Sequence, residues 1–171
     1  MSYSNSPEGF LRDSDGVLTA KRVLLIEEHT LFRQGLALLL NWELGLESID
    51  AGSLAEGHRV LGAAKGMADL AIIELDLPDG DGSELIERLH QTEPGVPIVA
   101  FTADRSLARH ARALEVGADE VLAKSAHVEQ IIGAAMQLVG EDGEKMKKTL
   151  EDLRAMRREL CRSPWSAWLR W

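Results

Sequence analysis

Asp69-Leu70-Ala71-Ile72-Ile73-Glu74-Leu75-Asp76-Leu77-Pro78-Asp79-Gly80-Asp81-Gly82 is an apolar run that ends in an acid and then breaks into acids, glycines and a proline. An uninterrupted apolar run of this length suits a strand covered on both faces, as in a parallel sheet, because a half-exposed strand would alternate. Pro78 and the glycines end it. Glu74 is thereby predicted to stand at the carboxyl end of a buried strand.

The same alternation extends in both directions. Val23-Leu24-Leu25-Ile26 reads as a strand, and Leu31 to Leu40 changes to helical spacing. A weak strand follows at 47–51, then a helix from Ser53 to about Lys65 and a helix from Ser83 to about His90 after the quoted strand. Pro97-Ile98-Val99-Ala100-Phe101 is a fourth strand, 105–116 a helix stopped by Gly117, and Glu120-Val121-Leu122-Ala123 a fifth strand. His127 to Val139 closes the series as a helix with Val128, Ile131, Ile132, Ala135 and Val139 on one face. Five such units predict an α/β fold: a doubly wound five-stranded parallel sheet with a C-terminal helical extension. Ligands of such sheets bind at the carboxyl ends of the strands, which selects Glu27, Glu28, Glu74, Thr102 and Lys124 as one pocket.

Composition narrows the possible functions. The chain has 171 residues and a net charge of −9, and the acid is concentrated in its body: residues 1–140 carry 11 Lys or Arg against 22 Asp or Glu, residues 141–171 carry 8 against 6. An acidic body lacks the basic footprint that phosphate contacts need, so no nucleic-acid partner is expected. The single cysteine, Cys161, excludes an intrachain disulfide and suits a reducing compartment. No segment reads as a signal peptide or a membrane span, which gives a cytoplasmic expectation. Residues 1–20 read as a flexible leader, 21–140 as the folded domain and 141–171 as a helical, Trp-rich extension.

Four stretches then carry a family resemblance: Val23-Leu24-Leu25-Ile26-Glu27-Glu28-His29, Glu74 to Gly82, Val99-Ala100-Phe101-Thr102-Ala103 and Val121-Leu122-Ala123-Lys124. In this order and spacing they resemble the receiver domain of bacterial response regulators, over roughly residues 21–140. The resemblance implies a flavodoxin-like (β/α)5 fold and assigns roles by position. Glu74 stands where the family has its phosphoacceptor aspartate. Glu27 and Glu28 match the acid pair, and Thr102 and Lys124 match the hydroxyl and lysine that receive phosphoryl oxygens. Glu28, Glu74 and the main-chain carbonyl of Asp76 match the Mg²⁺ ligands.

The departures from the family pattern are concerted. All three acids are glutamates where the family has aspartates, each longer by about 1.5 Å, and Val121 stands where an aromatic switch residue is usual. Ser125 follows the lysine in place of a proline. Together they imply a pseudo-receiver that is held in one state, is not an enzyme and requires no cofactor. A Mg²⁺-dependent phosphorylatable receiver with an unusual acceptor is the alternative, and a flavin-binding electron carrier a weaker one. Asp79-Gly80-Asp81-Gly82 lacks EF-hand spacing and reads as a turn into the third helix, and His29 reads as a surface residue.

In the extension, Met146, Leu150, Leu153, Met156 and Leu160 recur at helical intervals. Ser163-Pro164 ends that helix, and Trp165, Trp168 and Trp171 follow. These residues are the expected interface, toward a second copy in a homodimer or toward a protein partner such as a histidine kinase, with packing back on the domain as the alternative.

Overall fold

In a computed structural model, which describes residues 10–12, 18–140 and 143–162, the chain divides into two compact units, residues 1–125 and 126–171. The first unit opens with an antiparallel pair, β1 (Phe10–Arg12) and β2 (Leu18–Ala20). Regular structure therefore begins ahead of Lys21, within the segment expected to be a leader, where Phe10-Leu11 and Leu18-Thr19 supply β-favouring residues.

β3 (Arg22–Ile26), β4 (Glu47–Ala51), β5 (Leu70–Glu74), β8 (Ile98–Thr102) and β9 (Glu120–Ala123) form one parallel sheet in the order β4-β3-β5-β8-β9. A two-residue ladder, β6 (Asp76–Leu77) with β7 (Gly80–Asp81), fills the loop after β5. The crossovers of this unit are α1 (Thr30–Leu44), α2 (Leu54–Ala63), α3 (Ser83–Thr92) and α4 (Leu107–Glu115).

Every residue of β5 and β8 is buried, as the unbroken apolar runs require. Alternate side chains leave a strand on opposite faces. Leu24, Ile26, Ala71, Ile73, Ile98 and Ala100 join one core with Val60 and Leu61 of α2, Leu85, Ile86 and Leu89 of α3 and Ala113 of α4. On the other face Phe101 stacks on Phe32 of α1, with ring centroids 5.4 Å apart. Helices thus lie on both faces, as a doubly wound sheet requires.

Loop closure relies on polar clamps. Ser53 Oγ accepts the amide of Glu56, and Asp79, in the turn between β6 and β7, accepts the amides of Leu54 and Ala55 at 2.6 and 3.0 Å. The open first turn of α2 is therefore capped from 25 positions away. These amides, Ala55 and then Leu54, hold the Asp79 carboxyl below its ordinary range. A depressed carboxyl stabilises the fold above its unfolded pKa and loses that contribution as pH falls through the native value. Asp79→Ala should accordingly lower stability at pH 7, and urea titrations should show the deficit shrinking in acid; an equal deficit at pH 7 and in strong acid would rule out this role.

In the second unit α5 (Val128–Leu138) contacts α6 (Gly143–Arg162). α5 and α6 thus belong to the same compact unit, on either side of the break that the glycines at 140 and 143 mark. Ile131, Ile132 and Ala135 of α5 are buried as the periodicity predicts, as is Leu153 of α6, while Met156 is exposed. The side chains of Met146, Leu150 and Leu160, and Trp165, Trp168 and Trp171 altogether, lie outside the described residues. Among the described residues no helix is long and apolar enough to cross a membrane.

Candidate functional site

The parallel register brings the strand ends together. Glu27 follows β3, Glu74 ends β5, Thr102 ends β8, and Lys124 follows β9. The main chain fixes these ends: Glu27 N–H donates to Ala51 O at 3.0 Å, Leu75 N–H to Phe101 O at 2.9 Å and Lys124 N–H to Thr102 O at 2.7 Å. Arg33 of α1 donates to the carbonyls of Glu27 and Glu28, pinning the turn behind the acids.

Glu27 and Glu74 are each only 1% exposed, and Lys124 bridges them. Its ammonium lies 2.9 Å from Glu27 Oε1 and pairs with Glu74 Oε1. Glu74 Oε2 accepts the main-chain N–H of Glu28 at 3.1 Å, so both of its oxygens are engaged. Burial pushes the Glu74 carboxyl above its ordinary range, against the opposing pull of Lys124 and the Glu28 amide. For Lys124 burial acts to lower the pKa, but Glu74 and Glu27 together outweigh it and hold the lysine above its ordinary value. Burial therefore works against the charge on the acid, while the two carboxylates favour the charge on the lysine.

Sequence reasoning missed His29 as a member of this group. Its main-chain N–H donates to Glu27 Oε1 at 2.8 Å, and its Nδ1 lies 3.3 Å from that oxygen and 3.2 Å from Glu28 Oε1. The carboxylate of Glu28 thus stands beside the imidazole, while the ligand atoms of Glu27, His29 and Glu74 all lie within 4.8 Å of one another. Two buried carboxylates are hard-oxygen donors of the kind Mg²⁺ takes, and Glu27 Oε2 is buried with no hydrogen-bond partner. The donor set fits a divalent cation, with Glu27 and Glu74 as the residues that would hold it, and Lys124 as a competing positive charge.

Thr102 is fully buried and faces a second acid. Its hydroxyl donates to Asp76 Oδ2 at 3.0 Å and accepts the amide of Asp104 at 2.9 Å. Asp76 is held on its other side by Arg109 of α4, whose Nη2 is 2.8 Å from Oδ1 and 3.0 Å from the carbonyl of Leu75. Val121 is partly buried against the core, and no cis peptide bond occurs among the described residues, Ser125 included.

The family profile of the response regulator receiver domain matches residues 23–136. The transcriptional regulatory protein PhoP of Escherichia coli (strain K12) is 31% identical over 118 residues, covering 69% of this chain and 52% of PhoP. The chain thus spans about half the length of the curated relatives it matches. A CheY-like receiver domain protein from Methanospirillum hungatei JF-1 superposes with a TM-score of 0.60 at 25% identity, covering 81% of this chain and 99% of that one. A receiver domain protein from Clostridium thermocellum, at 22% identity, gives a TM-score of 0.65 over 70% of this chain and 94% of its own.

Proposed function

This chain belongs to the response regulator receiver family of two-component signalling, and from that footing we propose that it is a pseudo-receiver, which acts through protein contacts without phosphorylation of Glu74. The observation that carries this reading is the bridge of Lys124 between Glu27 and Glu74. A nucleophile needs electron density directed at phosphorus, and here each oxygen of Glu74 already accepts a hydrogen, one from the lysine and the other from the Glu28 amide, which draws that density away. The extra methylene also moves the carboxylate by about 1.5 Å, in chemistry where about 1 Å of misplacement costs about 100-fold. Glu74 holds a carboxyl oxygen against Lys124 permanently, where a phosphoryl oxygen would be transient, although even when ionised it carries one charge where a phosphoryl group carries about two.

Mg²⁺, when bound by Glu27 and Glu74, would neutralise charge between an acid and a phosphoryl group. The unpartnered Glu27 Oε2 favours that second reading, a phosphorylatable receiver with a glutamate acceptor. Incubation with acetyl phosphate and Mg²⁺, followed by intact mass measurement, separates the two. The wild-type chain is expected to keep its mass; a stoichiometric phosphoryl adduct that disappears in Glu74→Gln would overturn the first reading.

Output through the extension belongs to the same proposal, toward a second copy or a protein partner such as a kinase. Replacing Trp165, Trp168 and Trp171 with Ala in the full chain should shift the molar mass seen by light scattering, or abolish partner capture, with the circular dichroism unchanged. The same assembly and the same capture in both proteins would count against this role for the tail.

A further inference from the structure

We propose that Asp76 and Arg109 form a second block on this pocket, separate from Glu74, by taking the one hydrogen that Thr102 can donate. The inference deepens the reading above and rests on it in one respect, that Thr102 is the hydroxyl facing an incoming phosphoryl oxygen.

A threonine hydroxyl has a single donor hydrogen. At Thr102 it goes to Asp76 Oδ2 at 3.0 Å, and a lone pair of the same oxygen is filled by the Asp104 amide at 2.9 Å. Burial leaves the hydroxyl no water through which to make a further bond. Asp76 cannot swing away freely, because Arg109 Nη2 holds its other oxygen at 2.8 Å in a charge-assisted bond and is itself fixed on the Leu75 carbonyl at 3.0 Å. Asp81 Oδ1 stands a further 3.9 Å from the same nitrogen. The Nε of Arg109 is buried with no hydrogen-bond partner, so this side chain is held through its Nη2 end despite leaving a donor unmatched.

Two consequences follow for an oxyanion entering the pocket. The hydrogen it would accept is already committed, and a carboxylate charge stands beside the hydroxyl and repels it. Restoring the shorter acid at position 74 therefore leaves the pocket closed on the Thr102 side, and α4 stays tied to the end of β5 whatever the charge on Glu74.

The test uses the full chain with acetyl phosphate and Mg²⁺. An oxygen of the substituted carboxylate bonds to phosphorus, the bond from phosphorus to the acetate oxygen breaks, and acetate leaves with its electron pair. Adduct formation is followed by intact mass in Glu74→Asp and in Glu74→Asp combined with Asp76→Ala. Asp76 is 41% exposed at its side chain, so the truncation leaves the core intact. The double variant is expected to react at least about tenfold faster, since one hydrogen bond to a developing oxyanion is worth about 10²–10³ in rate. Glu74→Asp with Arg109→Met, which frees Asp76 by the other route, should also be faster than Glu74→Asp alone. Adding Thr102→Val to the fast variant should return it to the slow rate. Equal rates in Glu74→Asp and its Asp76→Ala partner, zero included, overturn the block, as does a fast variant indifferent to Thr102→Val. An adduct on the wild-type chain would overturn the preceding reading and leave these ratios to judge this one.

Discussion

Lys124→Met should lower stability by about 3–5 kcal/mol at neutral pH, the range seen when one partner of a buried ion pair is removed. The pair qualifies as buried: the side chains of Glu27 and Glu74 are each 2% exposed and that of Lys124 is 16% exposed. Methionine keeps the stem and removes only the charge, which leaves two carboxylates facing each other out of water. The pH dependence has a definite sign. Lys124 is held above its ordinary pKa, so its contribution is complete below about 10.5 and is lost only as pH rises through the raised native value. Glu74 is also raised, so the fold favours its neutral form, and what this contributes is present below 4.5 and lost as pH rises through the native pKa. Without the ammonium that pull toward the neutral acid grows. Urea titrations should therefore show the deficit of Lys124→Met shrinking as pH is lowered from 8 toward 5. A deficit that is flat across this range would mean that the lysine supports the fold by packing alone.

Gly82→Ala should be nearly as damaging, through space alone. The backbone of Gly82 is helical, with φ −59° and ψ −16°, so any residue could adopt it. A Cβ there would stand 1.9 Å from the carbonyl oxygen of Glu74, 2.9 Å from its carbon and 3.1 Å from Leu75 Cα. These are backbone atoms at the end of β5, and moving them moves Glu74 itself. Overpacking costs about 1–3 kcal/mol where side chains can yield, so the loss should reach the upper part of that range, with hydrogen exchange at the end of β5 speeding up. Gly35→Ala is the matched control. Nothing lies within 4 Å of its added Cβ, and α1 should gain up to about 1 kcal/mol in helix propensity. Equal stability of the two variants would show that the close approach at Gly82 is not a constraint.

The sheet was legible because its three central strands are marked locally. Unbroken apolar runs at 23–26, 70–73 and 98–101, separated by helical spacing, leave little choice but a covered parallel sheet, and the strand-end rule then gathers Glu27, Glu74, Thr102 and Lys124. What escaped notice depends on distant partners. Arg109 meets the Leu75 carbonyl across 34 positions and Asp79 caps α2 across 25, and neither spacing leaves a trace in sequence. The Asp79 turn reads as a feeder of α3, yet its carboxylate serves α2. His29 looks like a surface residue and is largely exposed, but its main chain and ring both address Glu27. The association of α5 with α6 was left open for a different reason: the apolar stripe of α6 fits the domain or a partner equally, and the glycines at 140 and 143 mark a break without saying which helices pack together.

In the pseudo-receiver proposed above, this pocket rests in one state and a phosphodonor does not change it. Amide hydrogen exchange on the full chain, with Mg²⁺ present throughout and with or without acetyl phosphate, tests this. The amide of Lys124 is bonded to Thr102 O, and that of Asp104 to the Thr102 hydroxyl, so together they report on both sides of the Thr102 position. The same protection is expected at both amides in the two conditions. A change of about tenfold or more at either one after the phosphodonor, equivalent to about 1.4 kcal/mol in local opening, would contradict it.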